Sequence, residues 1–214
     1  MVLKLYGSAM ATSRVLVTIL EKELPYELIL VDISQGHHKT DEYRKMQPFG
    51  KVPVLDDEEF VMFESRAICK YPARKYPSGA KLIPGDNDEA YGRFEQACSI
   101  EQSHFAAAAE TIGTEPFIKA MKGLGPPDEA KVAQAEEDLD LVLSVYGQIL
   151  SKQKYIAGDE LTVADLFHLP NGAALMAGKW KDVFAKYPNV DKWFKELQGR
   201  ETWVRAASEA GTIL

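Results

Sequence analysis

Apolar and polar residues alternate where the chain begins, Leu3-Lys4-Leu5-Tyr6, until Gly7 interrupts them. Alternation with a period of two marks a half-buried strand, because successive side chains point to opposite faces. From Ser13 to Lys22 apolar residues recur three and four apart instead, which predicts a helix. Tyr26 to Ile33 returns to alternating and β-branched residues behind Pro25, so the opening reads as a βαβ unit. Past the loop Ser34 to Lys39, a short helix is expected near Asp41 to Met46 and a turn at Gln47-Pro48-Phe49-Gly50. Val52-Pro53-Val54-Leu55 and Phe60-Val61-Met62-Phe63 flank the acidic turn Asp56-Asp57-Glu58-Glu59 and predict a β-hairpin. A helix from Ser65 to Tyr76 follows, with Pro72 inside it. Proline there removes a backbone donor at a cost of about 3 kcal/mol, and a bend is expected near Lys70 and Tyr71.

Pro77-Ser78-Gly79-Ala80-Lys81 and Pro84-Gly85-Asp86 gather helix and strand breakers at an expected boundary. After Asn87 the period is helical. Tyr91, Phe94, Cys98 and Phe105 form one stripe, and Val132, Leu139, Val142, Tyr146 and Ile149 another, separated by Gly123-Leu124-Gly125-Pro126-Pro127. Thr162-Val163-Ala164-Asp165 has the hydroxyl and carboxylate spacing of a capping box, with Leu161 and Leu166 at the staple positions, so Asp165 reads as structural. The expected organisation is an α/β domain over 1–78, a linker over 79–88 and an all-helical bundle over 89–214.

Composition narrows the function classes. With 46% hydrophobic and 27% charged residues in 214, the chain can bury a sizeable core. A net charge of -7 makes phosphate backbones and anionic membranes poor partners, so no nucleic acid and no membrane are expected. The apolar run Val15 to Leu20 is far short of the roughly 20 residues that span a bilayer, and no basic leader precedes it, so the expected location is cytoplasmic. Cys69 and Cys98 are too far apart for a redox pair and too few for a zinc site, and they read as buried helical thiols. His37 and His38 are adjacent, yet no Cys or carboxylate stands at ligand spacing, so no metal is expected.

Four stretches in this order and spacing resemble the glutathione transferase superfamily, most of all its phi-type branch of plants and fungi. They are Lys4-Leu5-Tyr6-Gly7, Gly36-His37-His38-Lys39, Pro48 to Leu55, and Phe63-Glu64-Ser65-Arg66-Ala67-Ile68. The resemblance covers nearly the whole chain. It implies a thioredoxin-like first domain with a mixed four-stranded sheet, an all-α second domain, glutathione as co-substrate and a homodimer keyed by Phe49. It also implies that Val52, ahead of a cis Pro53, pairs its main chain with the cysteinyl part of glutathione like an added strand. Ser65, at a helix start, suits the γ-glutamyl carboxylate, and Glu64 the ammonium group. His38, Lys39 and Lys51 align with positions that hold the glycyl carboxylate, although the family usually has Gln where Lys51 stands. The cradle so defined runs from Lys51 through Arg66.

In phi-type enzymes a serine hydroxyl at the start of the first helix hydrogen-bonds the thiolate. Here the segment Gly7 to Val15 is shorter than that pattern and the serine position falls near Ala11, which leaves Thr12, Ser13 or Ser8 as the expected donor. Moving a thiol pKa from about 8.5 to about 6.5 needs roughly 2.7 kcal/mol. One hydrogen bond to a charged group and a helix N-terminus together supply about that. No cysteine precedes Cys69, so conjugation or glutathione-dependent peroxide reduction is favoured over thiol transfer. The resemblance puts the apolar electrophile among Met10, His104 and Phe105. A non-catalytic carrier of apolar ligands is the alternative reading.

Overall fold

The computed structural model describes residues 2–58, 60–85, 87–178 and 180–212, leaving aside the side chains at 117, 118, 121 and 122. Glu59 of the acidic turn and Asp86 of the expected linker fall outside these residues. β1 (Leu3–Gly7) is followed by α1 (Ala9–Glu21) and β2 (Tyr26–Leu30), then a 3-10 turn at His37–Lys39, α2 (Asp41–Met46), β3 (Val54–Asp57), β4 (Phe60–Phe63) and α3 (Ser65–Lys75). The strands form one sheet in the order β2-β1-β3-β4. β1 runs parallel to β2 and antiparallel to β3, and β3 pairs antiparallel with β4.

Boundaries differ from the periodic reading at three elements, β2 among them, which ends at Leu30 and not at Ile33. α1 starts at Ala9, four residues before Ser13, because Ser8 to Thr12 offer one large apolar residue, Met10, among small and polar ones and give no apolar period. β3 starts at Val54 and leaves out Val52 and Pro53, since proline has no N–H for the ladder. α3 runs through Pro72 to Lys75. The turn beyond the proline is held by the buried Asp57, whose Oδ2 accepts from the Tyr71 hydroxyl at 2.7 Å, the Tyr76 hydroxyl at 2.7 Å and Lys75 Nζ at 2.5 Å. Burial pushes the Asp57 carboxyl pKa up, but the donors on Lys75, Tyr71 and Tyr76 outweigh it and hold it below its ordinary value.

The chain divides into two compact units, Met1–Ile83 with Gly199–Leu214, and Pro84–Gln198. This departs from the expected single cut over 79–88, because the last helix returns to the first unit. That helix is α10 (Glu201–Ala210), introduced here with the elements before it: α4 (Asp88–Ile100), a π-helical segment at Glu101–Phe105, α5 (Ala106–Lys122), α6 (Glu129–Leu150), α7 (Val163–Leu166), α8 (Leu169–Ala177) and α9 (Pro188–Gln198). α10 buries Trp203, Ala206, Ala207 and Ala210. Ahead of it, Arg200 clamps the carboxylate of Glu21 on α1 through Nε at 2.6 Å and Nη2 at 2.8 Å. Side chains of Leu5, Val15, Leu16, Ile19, Leu55 and Ile68, all fully buried, fill the core of this unit.

In the helical unit an aromatic core gathers Phe105, Tyr146, His168, Trp193 and Phe194. Gly172 of α8 is required by close approach, since a Cβ there would lie 2.2 Å from the Phe194 ring. Asp165 is fully buried and accepts from the Ile156 and Thr162 N–H groups, the Thr162 hydroxyl and the Trp193 indole, as its structural reading expects. Burial pushes its pKa up, and these four donors pull against that. Cys69 and Cys98 are both buried thiols outside any disulfide, matching their sequence reading.

Candidate active site

One end of the sheet collects four chain segments. Tyr6 pairs with Val54, and Val54 with Phe63, so Gly7-Ser8, Val52-Pro53 and Glu64-Ser65 leave or enter the sheet side by side. Gly7 pairs with Leu30, and the Ser8 hydroxyl donates to Val31 O at 2.9 Å, which brings the start of the 31–39 loop to the same end. Open α/β sheets bind ligands beyond strand termini of this kind, where helix N-termini and free main chain point outward together.

The Val52–Pro53 peptide is cis, as expected. Among the described residues the N–H and C=O of Val52 have no hydrogen-bond partner, so an extended peptide could pair there as an added strand. The adjoining Lys51 carbonyl is fixed by the Tyr43 hydroxyl at 3.0 Å. At the hairpin's other arm, Glu64 is exposed and has φ of 73°. A non-glycine residue on that side of the map costs on the order of 1–3 kcal/mol and persists where its neighbours over-determine it, a pattern concentrated at binding sites. Ser65 follows as the first residue of α3 and is buried, with its Oγ accepting from Arg14 Nη1 at 3.0 Å. Arg66 is half-buried.

The loop end is more open. Lys39 is exposed, yet its ammonium is engaged, donating to Phe49 O at 3.2 Å and Gly50 O at 2.5 Å, so it braces the 49–50 turn. Lys51 is exposed. His38 is half-buried, and its Nδ1 is buried without a hydrogen-bond partner among the described residues. Burial, reinforced by Lys39 and Arg44, holds the His38 pKa below its ordinary value.

The first turn of α1 encloses two of the three expected donors. Thr12 and Ser13 are both fully buried, and each donates inward, Thr12 to Ser8 O and Ser13 to Met10 O, both at 2.9 Å. In this arrangement they brace the turn and offer no hydroxyl at the surface. Gly7 admits Thr12, since a Cβ at Gly7 would lie 2.3 Å from Thr12 Oγ1. Ser8, half-buried at the N-cap, is the least enclosed of the three hydroxyl residues. Phe105 is fully buried, with its ring 4.7 Å from that of His168. His104 is exposed and, with Ala107, Ala108, Ala135, Leu141 and Val142, lines a groove of about 540 Å³ between α5 and α6. Met10 is half-buried in the first unit. Among the described residues no group of three or more His, Cys, Asp or Glu side chains could hold a metal ion, and no helix is long and apolar enough to cross a membrane.

Arg14 is the residue the periodic reading missed. Its signal was available, because a charge within Ser13-Arg14-Val15-Leu16-Val17 must be buried with that face and so must find a partner.

Residues 1–74 match the family described as Glutathione S-transferase, N-terminal domain, and residues 102–201 that described as Glutathione S-transferase, C-terminal domain. The chain belongs to the glutathione S-transferase family and is a glutathione transferase. Among its relatives, Glutathione S-transferase hmp2 of Hypomyces subiculosus is 66% identical over 98% of this chain and 100% of its own length. Glutathione S-transferase PARB of Nicotiana tabacum is 35% identical over 96% of this chain and 97% of its own. Glutathione transferase F7 of Populus trichocarpa has the same fold, with a TM-score of 0.91 at 34% identity over 97% of this chain and 98% of that one. A maize glutathione S-transferase solved with an atrazine glutathione conjugate matches at a TM-score of 0.90 and 34% identity, covering 99% of both chains.

Proposed function

We propose that this transferase takes glutathione along Lys51 through Arg66 and adds its thiolate to hydrophobic electrophiles. The observation that carries the reading is the unpartnered main chain of Val52, beside cis Pro53, at the sheet end where α1 and α3 begin. The cysteinyl main chain pairs with Val52, the γ-glutamyl carboxylate meets Ser65 and the first N–H groups of α3, and Glu64 faces the ammonium. His38 and Lys51 draw the glycyl carboxylate, with Lys39 holding their loop. The sulfur then lies over the first turn of α1, where the open N–H groups take the role expected of Thr12 or Ser13. The relative crystallised with an atrazine conjugate supports conjugation as the reaction.

The same thiolate would reduce organic hydroperoxides as a second activity. Cys69 and Cys98, buried as thiols and not joined in a disulfide, suit a reducing compartment such as the cytoplasm. A homodimer belongs to the proposal too: Phe49 is 65% exposed, and the apolar stretch Ala107, Ala108, Leu141 and Val142 in the groove between α5 and α6 of a second copy, which Lys131, Gln134 and Asp138 also line, offers it burial.

Calorimetric titration of the folded protein with glutathione, beside turnover of a chlorinated nitrobenzene, tests the reading. Saturable uptake with steady conjugation is expected. Uptake without turnover across a broad electrophile panel would favour a carrier, and no uptake at millimolar glutathione would remove the cradle altogether.

A further inference from the structure

Arg14 stands at the meeting of α1 and α3, is 4% exposed, and donates from Nη1 to Ser65 Oγ at 3.0 Å. Cys69 of α3 donates its thiol to the Arg14 carbonyl at 3.3 Å, so the two helices are tied at that residue from both sides of its backbone. A buried guanidinium is costly to place where a neutral side chain would pack, and its position beside the first residue of α3 calls for a use.

The chemistry of the pair supplies one. Guanidinium has five donors and no acceptor. Ser65 Oγ must therefore accept on the side facing Arg14, and its single O–H cannot point back. The hydroxyl is forced to donate elsewhere, and the open N–H groups of the α3 N-terminus are donors that leave an anion as the natural acceptor. Charge on the donor polarises the O–H it bonds and strengthens the next hydrogen bond in the chain. The charge also sits in the interior, where salt screens it far less than a surface lysine.

We propose that Arg14 is a positioning residue for the γ-glutamyl carboxylate, fixing the Ser65 hydroxyl as an outward donor before the ligand arrives. This rests on the glutathione reading above and adds a residue from α1 to a subsite otherwise made by α3.

The test compares glutathione with its analogue lacking the γ-glutamyl α-carboxylate, 4-aminobutyryl-cysteinyl-glycine, in wild type, Arg14→Lys, Ser65→Ala and the double variant. Arg14→Lys should raise the KM for glutathione about 10-fold, with a far smaller fall in kcat, and leave the KM for the analogue within about twofold. The double variant should resemble Ser65→Ala alone, because without the hydroxyl Arg14 has nothing to orient. Equal losses for the two thiols, additive losses in the double variant, or no loss at all would overturn the proposal. Arg14→Gln, whose amide oxygen gives the Ser65 O–H an acceptor to point back to, should lose the discrimination at least as fully, and it replaces Arg14→Lys if that variant does not fold. A glutathione-soaked crystal of the wild type reads the geometry directly: Arg14 and Ser65 still bonded with Oγ on the carboxylate is expected, and a Ser65 turned away from either overturns it. Failure of the wild type to prefer glutathione over the analogue would instead strike the binding mode itself.

Discussion

At the α3 end of the proposed cradle stands Ser65, a side chain on a helix terminus, buried and bonded to a buried arginine. At the loop end stand the exposed Lys51 and the half-buried His38, outside the strands and α-helices. In the proposed binding mode the two ends meet the same chemical group, a carboxylate, by opposite means. One is a donor fixed before binding, whose energy lies in geometry. The other is positive charge in solvent, whose energy is spread, screened and tolerant of position, and which near neutral pH is carried by Lys51 and its neighbour Lys39 and not by His38. In a chain of net charge -7, that local positive cluster also draws an anionic tripeptide toward the sheet end.

The comparison breaks most readily at Ser65. Replacing it with alanine removes a hydrogen bond to a charged group, and kcat/KM for glutathione should fall about 10- to 100-fold. The slope of log KM against salt should not change, because no charge is lost. A loss below about threefold, or a changed slope, would show that the α3 end is not the geometric one. The loop end answers differently. Lys51→Gln should raise KM about two- to fivefold at low ionic strength, and this difference should vanish toward 1 M salt. A Lys51 effect as large at high salt as at low would place it in a fixed, desolvated contact and erase the distinction.

The same contrast governs what could be read from the chain alone. The strands and helices follow from the two periods, since burial on one face forces them, and Ser65 at the start of α3 was legible from the same pattern, whereas the mixed pairing of the sheet and the cis Val52–Pro53 peptide came with the resemblance. What was not legible depended on small displacements. Three hydroxyl residues stand within six positions, Ser8 to Ser13, and only the true start of α1 at Ala9 decides that Thr12 and Ser13 point inward. A π-helical turn just before Ala106 likewise shifts the register, so that His104 is exposed while the adjacent Phe105 enters the core. α10 was assigned to the helical half because periodicity reports a helix and says nothing of its partner; the clamp of Glu21 by Arg200 spans 179 positions.

His38 offers the smallest effect and the sharpest reading of the loop end. Burial, Lys39 and Arg44 depress its pKa, so it is mostly neutral at pH 7 and charges only as pH falls through the lowered value. A bound carboxylate favours the charged ring, and affinity should therefore rise as pH falls. S-Methylglutathione isolates this term because its sulfur does not titrate. Between about pH 7 and pH 5 its affinity for the wild type should rise about two- to threefold, whereas His38→Gln should be flat. The stability arm has the opposite sense. A histidine with a depressed folded pKa contributes stability that is complete above about 6.5, its unfolded value, and is lost as pH falls through the folded one. The melting temperature of the unliganded wild type should therefore drop on acidification by about 1 °C more than that of His38→Gln, and saturating S-methylglutathione should remove the difference. Parallel pH profiles for wild type and variant, with and without ligand, would take His38 out of the carboxylate subsite and leave Lys51 as its cation.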